Sequence, residues 1–109
     1  MNKIRVLIKR PDEDTGHITA ISDTLENLQR TVDGYIETVT AADDIVIVCN
    51  EEGRLMGLPK NCRVKLPSGC SVDFVGTIIV AGTKGDELAD LPDRITRQVW
   101  RDEWICEEG

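Results

Sequence analysis

Residues 45–49 read Ile-Val-Ile-Val-Cys, an uninterrupted apolar run with the length of a strand. Branched side chains favour extended backbone, and a strand without polar alternation is typical of one that is covered on both faces. Polar turn sequences lie on either side of the run, at residues 41–44 and 50–53. We therefore predict that residues 45–49 form a central strand of a sheet.

Further strands are indicated on both sides of this run. Residues 3–9 alternate apolar and basic side chains, which is the period-two pattern of a strand with one buried face. Aromatic, β-branched and apolar residues predict additional strands at 17–21, 35–40, 54–58 and 74–81. The connection from residue 57 to residue 73 contains several Gly, Pro and Asn residues, so we expect a long loop there.

A first helix is indicated after residue 22. Asp23 and Glu26 have the spacing of a capping box, in which each side chain bonds an amide of the first turn. Leu25, Leu28 and Val32 then repeat with the period of an amphipathic helix. We expect the helix to end at residue 34, where a glycine can adopt the left-handed conformation.

A second helix is indicated near the C-terminus. Asp90 has the character of an N-cap, and Pro92 is tolerated in a first helical turn. Trp100 and Trp104 would share one face, where we expect them to anchor the helix to the sheet. The order of elements predicts an α+β fold, a largely antiparallel sheet of about five strands with two helices packed on one face. With 109 residues, we expect a single domain spanning residues 1–109.

The net charge is −7, and charge is segregated along the chain. Residues 11–53 contain eleven acidic residues and one arginine, whereas residues 1–10 and 54–69 each contain four basic residues and no acidic one. A negative net charge disfavours general binding to nucleic-acid backbones. No apolar run is long enough to span a bilayer, so we expect a cytoplasmic protein without membrane contact.

The sequence contains no pattern typical of catalysis or of a bound cofactor. The nearest two of the four cysteines, Cys62 and Cys70, are separated by seven residues, whereas zinc sites usually contain a closely spaced pair. In a reducing compartment we expect all four cysteines to be thiols. Glu51 and Glu52 are neighbours, and neighbours in an extended chain point to opposite sides, which disfavours an acid–base pair. We therefore expect a non-enzymatic protein with no cofactor and no metal.

Most of the chain resembles a family of small domains of unassigned function. The resemblance rests on residues 3–11, 24–29, 32, 34–37, 49–53, 55, 57–59, 61 and 76–80. Such domains are known chiefly from phages, plasmids and integrative elements of Gram-positive bacteria and their gut relatives. These elements encode small proteins that blunt host immunity, including inhibitors of CRISPR effectors and of restriction systems. The resemblance implies a mobile-element protein in the cytoplasm of a bacterial host, and it assigns no activity.

The acidic block and this resemblance together favour an anti-defence protein. Carboxylates gathered on one surface attract a basic partner and speed encounter with it. Our hypothesis is an anti-CRISPR-type inhibitor whose acidic surface, acting as a DNA mimic, binds a Cas9-like nuclease. The partner would be a basic host protein or ribonucleoprotein, with no direct nucleic-acid binding by this chain. The predicted contact residues are Asp12, Glu13, Asp14, Asn50, Glu51, Glu52, Leu58 and Asn61.

Other interpretations stay open. Asn50 and Asn61 have an alternative role as turn formers, because asparagine tolerates unusual backbone angles. A second function is sequestration of a nucleotide signal in an anion pocket, since Arg and Lys suit phosphate oxygens. The basic residues proposed for that pocket are Arg54, Lys60, Arg63 and Lys65, beside the turn at 57–59. A third function is that of a structural accessory protein.

Overall fold

Two antiparallel sheets are the main structural elements of the protein in a computed structural model, whose described residues are 3–106. The strands within this range are β1 (Lys3–Lys9), β2 (His17–Ser22), β3 (Ile36–Ala42), β4 (Ile45–Asn50), β5 (Lys60–Lys65), β6 (Ser71–Val75), β7 (Ile78–Lys84), β8 (Glu87–Ala89) and β9 (Ile105–Cys106). The helical segments are α1 (Leu25–Val32) and α2 (Arg97–Val99), and α2 continues as a π-helix over Trp100–Trp104. Within residues 3–106, neither α1 nor the α2 segment has the length and apolar composition that crossing a bilayer requires.

The larger sheet has the strand order β2-β1-β7-β4-β3, and β8 pairs with the end of β7. The smaller sheet has the order β6-β5-β9. In the larger sheet β7 lies between β1 and β4, with Val80 opposite both Leu7 and Ile47. All of these pairings are antiparallel, so that part of the fold prediction is confirmed.

Strand β4 is buried along its whole length, because a layer covers each face of the larger sheet. On one face, Ile45 and Ile47 belong to a cluster that includes side chains of β5, β6 and the C-terminal segment. On the other face, Val46 and Val48 belong to a cluster that includes Leu28 and Val32 of α1. Full burial of an aliphatic side chain contributes about 1.5–3 kcal/mol. The prediction of a central strand covered on both faces is confirmed.

The predicted α+β fold, with one sheet of about five strands and two helices packed on one face, is wrong, because the described residues form nine strands in two sheets. The chain is mostly β. Within the described range α1 is an α-helix of eight residues, whereas α2 has three residues and continues as a π-helix. The predicted N-cap Asp90 instead accepts a hydrogen bond from the Arg5 amide at 2.8 Å, and the Leu91 amide donates to the Arg5 carbonyl at 2.7 Å. These bonds keep the chain extended, so the helical segment begins only after its N-cap, Thr96. It ends at Trp104 because β9 pairs with β5.

The expected loop from 57 to 73 is also wrong for most of its length. It contains β5 and part of β6, and a turn at 66–70 joins them. Conversely, the predicted strand at 54–58 is absent, since residues 54–57 form turns and residue 58 lies outside any strand. The predicted strand 74–81 is divided between β6 and β7 at Gly76, whose φ of 71° requires the left-handed conformation.

Trp100 anchors the C-terminal segment, as predicted. Its side chain is fully buried, and its ring stacks on that of Trp104 with 5.8 Å between centroids. The stack places the segment against the smaller-sheet side of the core.

Asn50, the last residue of β4, fastens the end of α1 to the following turn. Its buried side chain donates from Nδ2 to the carbonyls of Val32 and Asp33, both at 3.1 Å. Its Oδ1 accepts from the Glu52 amide at 2.8 Å. A Cβ at Gly34 would lie only 2.6 Å from Asn50 Nδ2, so a glycine at that position allows the close approach. The relative position of α1 and the turn therefore depends on one amide side chain.

Replacing Asn50 with alanine tests this dependence. Asn50→Ala leaves two carbonyls and one amide without their partner, and we expect the free energy of unfolding to fall by about 2–3 kcal/mol. Urea unfolding followed by circular dichroism measures the change. Thr40→Ala, an exposed substitution on β3, is the control and should stay within about 0.5 kcal/mol. Equal stability of the two variants would contradict the assigned role.

The four cysteines are free, as expected, and differ in their surroundings. Cys49 and Cys62 are buried, and burial raises the pKa of each thiol to about 11. Cys70 is exposed in the β5–β6 turn, and Cys106 is half-buried.

These differences predict selective alkylation. With iodoacetamide at pH 8, native protein should be modified first at Cys70, because Cys49 and Cys62 are both inaccessible and almost fully protonated. Peptide mass spectrometry at successive times identifies the modified thiols, and Cys70→Ser should remove the fastest reaction. In urea all four should react. Rapid labelling of Cys49 or Cys62 in the native protein would show that this part of the core is open.

Candidate functional site

The predicted contact residues fall into two separate regions of the surface. Asp12, Glu13 and Asp14 lie in the turn after β1, and Glu13, Asp14 and Asn61 line one cavity. Asn50 and Glu52 line another cavity, while Glu51 lies beside a third. Leu58 is half-buried and lies over Gly53 and Gly76. The structure therefore does not bring the residues of the two turns into one site.

The first region surrounds the turn at 51–57 and the end of α1. We call it the acidic–apolar face, and it comprises Glu26, Asp33, Tyr35, Glu37, Glu51, Glu52, Leu55 and Met56. Hollows of about 600 Å³ and 250 Å³ lie beside the turn, and Asn50 lines both of them. Leu55 is 87% exposed, Tyr35 65% and Met56 51%, so this face presents three large apolar side chains to solvent.

The carboxylates of the acidic–apolar face are exposed, and none forms an ion pair with another residue in the 3–106 range. Two basic residues lie nearby. Arg30 lines the larger hollow, and Arg54 donates a hydrogen bond to the Asp73 carbonyl. Five carboxylates near two guanidinium groups leave this face negative.

Several acidic residues elsewhere are paired with basic groups of the same chain. Glu13 accepts from the Arg10 amide at 2.9 Å, and this bond, followed by the attraction of His17, lowers the pKa of Glu13. Asp44 forms two hydrogen bonds of 2.7 Å with Arg94, which likewise lower its pKa. The Arg63 guanidinium lowers the pKa of Asp73 in the same way. The acidic block of the sequence is thus partly neutralised within the fold.

The second region is a cleft of about 670 Å³ between the end of β1, the turn after it, β5 and the C-terminal segment. We call it the Lys9 cleft, and the residues lining it are Lys9, Pro11, Glu13, Asp14, Lys60, Asn61, Cys62, Arg63, Arg101, Asp102, Ile105 and Cys106. Lys60 and Arg63 from the predicted anion pocket line it, whereas Arg54 lines another cavity and Lys65 lines neither.

Lys9 and Asn61 form a hydrogen-bonded pair at the wall of this cleft. Lys9 is only 3% exposed, and its Nζ donates to Asn61 Oδ1 at 2.8 Å and to the Arg10 carbonyl at 3.4 Å. Asn61 Nδ2 donates to the carbonyls of Lys9 and Gly76, at 2.9 Å and 2.7 Å. The burial of Lys9 was not predicted from the sequence, because the alternating pattern of β1 predicts that its basic residues lie on the exposed face of the strand.

The cleft does not resemble a metal or thiol-based catalytic centre. In the described part of the chain, no three His, Cys, Asp or Glu side chains converge as metal ligands. Cys62 lines the cleft, but burial raises its pKa to about 11, so its thiolate is scarce near neutral pH. The basic groups and the fixed amide of Asn61 are suited to binding.

Comparison with known proteins assigns the chain to a protein family but assigns it no activity. None of the curated proteins and none of the solved structures matches the chain. The sequence model of the domain of unknown function DUF3846 matches residues 4–102. The expected resemblance to a family of unassigned function is therefore confirmed, while the mobile-element setting stays a prediction. Because the match extends over nearly the whole length, the chain belongs to the DUF3846 family.

Proposed function

We propose that this chain is a non-enzymatic binding protein whose acidic–apolar face docks onto a basic partner protein. The observation that supports this most directly is the exposure of Leu55, Tyr35 and Met56 among carboxylates that have no ion-pair partner within residues 3–106. Tyrosine and methionine are enriched in the cores of protein interfaces. Exposed apolar groups with a polar rim are a common mark of interaction sites.

The carboxylates supply the specificity of this docking. Glu51 and Glu52 extend from a turn whose position Asn50 fixes, so their charges are presented by a defined backbone. Charge complementarity steers encounter and disfavours acidic partners, whereas the buried apolar contacts determine how long the complex lasts. The proposed partner accordingly has a basic surface with an apolar centre.

A host defence nuclease is the partner class that we propose within the mobile-element setting. Nucleases of the Cas9 type hold nucleic acid in positively charged channels, which an acidic surface can occupy. The proposed inhibition is occlusion of such a channel, and it requires no bond to be broken by this chain. The turn at 12–14 belongs to the Lys9 cleft side of the molecule, so the proposed docking does not depend on it.

Charge reversal at the turn tests the proposal. Glu51→Lys combined with Glu52→Lys should weaken binding to a basic nuclease by about tenfold or more at low salt, because two attractive charges become repulsive. Biolayer interferometry at increasing NaCl concentrations measures the affinity, and wild-type binding should weaken as salt rises.

A matched control separates this face from total charge. Asp86→Lys with Glu87→Lys makes the same charge change at two adjacent exposed residues, at the end of the β7–β8 turn and the start of β8. Wild type and both variants are used in parallel to capture proteins from a host lysate. A basic protein retained by wild type and by the Asp86/Glu87 variant, but lost with the Glu51/Glu52 variant, is the expected result. Equal losses in both variants, or none in either, would contradict docking through this face.

A further inference from the structure

The Lys9 cleft lies outside the acidic–apolar face and has its own chemical character. Its volume of about 670 Å³ is within the range of small-molecule sites, roughly 300–1,000 Å³. The basic residues Lys9, Lys60, Arg63 and Arg101 line it from three parts of the fold, and Arg63 is paired with Asp73. A ligand in the cleft would therefore meet positive charge from several directions.

The acidic residues of the cleft are largely engaged by the protein itself. Glu13 is bonded to the Arg10 amide and lies 3.6 Å from His17 Nδ1. Both carboxylate oxygens of Asp102 accept from Gln98 Nε2, at 3.0 Å and 2.9 Å. Asp14 remains exposed at the rim. These carboxylates keep their negative charge, so the cleft contains charges of both signs.

Lys9 gives a second and independent indication. Its ammonium is almost fully buried, yet its partners within residues 3–106 are the uncharged oxygens of Asn61 and Arg10. Burial of an ammonium is unfavourable unless an opposite charge compensates it. An ammonium can donate three hydrogen bonds, and Asn61 is held in place by its bonds to Lys9 and Gly76. The wall of the cleft thus has a fixed positive group suited to an anion.

We propose that the Lys9 cleft binds a phosphate-bearing small molecule of about nucleotide size. Phosphate groups present several anionic oxygens at once, and these match basic side chains that approach from different elements. Lys9 would hold one phosphate at the inner wall, and Lys60 and Arg101 would contact oxygens nearer the rim. This site is independent of the proposed docking face, so either proposal can fail without the other.

Two lysines of β5 provide a matched test. Lys60 and Lys65 are both exposed and lie at the two ends of the strand, but only Lys60 lines the cleft. Sodium pyrophosphate and ATP are titrated separately into wild type in calorimetry, at constant ionic strength set with NaCl. We expect saturable 1:1 binding that Lys60→Ala weakens by about tenfold or more and Lys65→Ala changes by less than about twofold. Tighter binding of ATP than of pyrophosphate would identify a nucleoside contribution.

A second variant examines the buried ammonium. Lys9→Met keeps an apolar stem of similar length, and we expect it to remove pyrophosphate binding and the ligand-dependent rise in melting temperature. If this variant does not fold, the comparison of Lys60→Ala with Lys65→Ala decides the question. The Glu51/Glu52 double variant should bind pyrophosphate like wild type. No heat and no rise in melting temperature with millimolar pyrophosphate or ATP, or equal losses in both β5 variants, would overturn the proposal.

Discussion

The burial of β4 and β7 on both faces determines where the remaining elements of the described structure lie. Neither strand exposes an apolar face to water, because α1 covers one side of the larger sheet and the smaller sheet with the C-terminal segment covers the other. Since burial of branched side chains is the main favourable contribution to such a fold, each covering layer must be attached closely. The two candidate regions lie where those layers are attached to the central strands.

Two asparagines make these attachments in similar ways. Asn50, at the end of β4, bonds the last carbonyls of α1, and Asn61, in β5, bonds the carbonyl of Lys9 at the end of β1. Each donates from its side-chain amide to two backbone carbonyls, at the end of α1 for Asn50, and at the end of β1 and between β6 and β7 for Asn61. Both were predicted as contact residues with turn formation as the alternative. Their hydrogen bonds assign them a positioning role, through which the neighbouring Glu52 and Lys9 acquire defined places.

The elements that could be predicted are those in which burial produces a recognisable pattern of apolar residues in the local sequence. Strands β1 and β4 were found because alternation and an apolar run reflect one and two covered faces. Strand β5 was missed, since it contains only two buried apolar residues, Cys62 and Val64, and pairs with β9 far along the chain. The C-terminal helix was predicted too early because local capping signals at Asp90 were outweighed by its bond to Arg5. Charged turn residues were visible in the sequence, whereas exposure of Met56 and burial of Lys9 are consequences of tertiary packing.

Internal pairing explains why net charge alone describes this protein poorly. Folding places Asp44 against Arg94, Asp73 against Arg63 and Asp93 against Arg5, so these pairs contribute little to the field at longer range. The five carboxylates of the acidic–apolar face lie around the turn after β4 and the end of α1, and several basic groups border the Lys9 cleft. A protein of net charge −7 can therefore present a negative docking face and a separate pocket suited to anions. The two are compatible because screening confines each field to its own part of the surface.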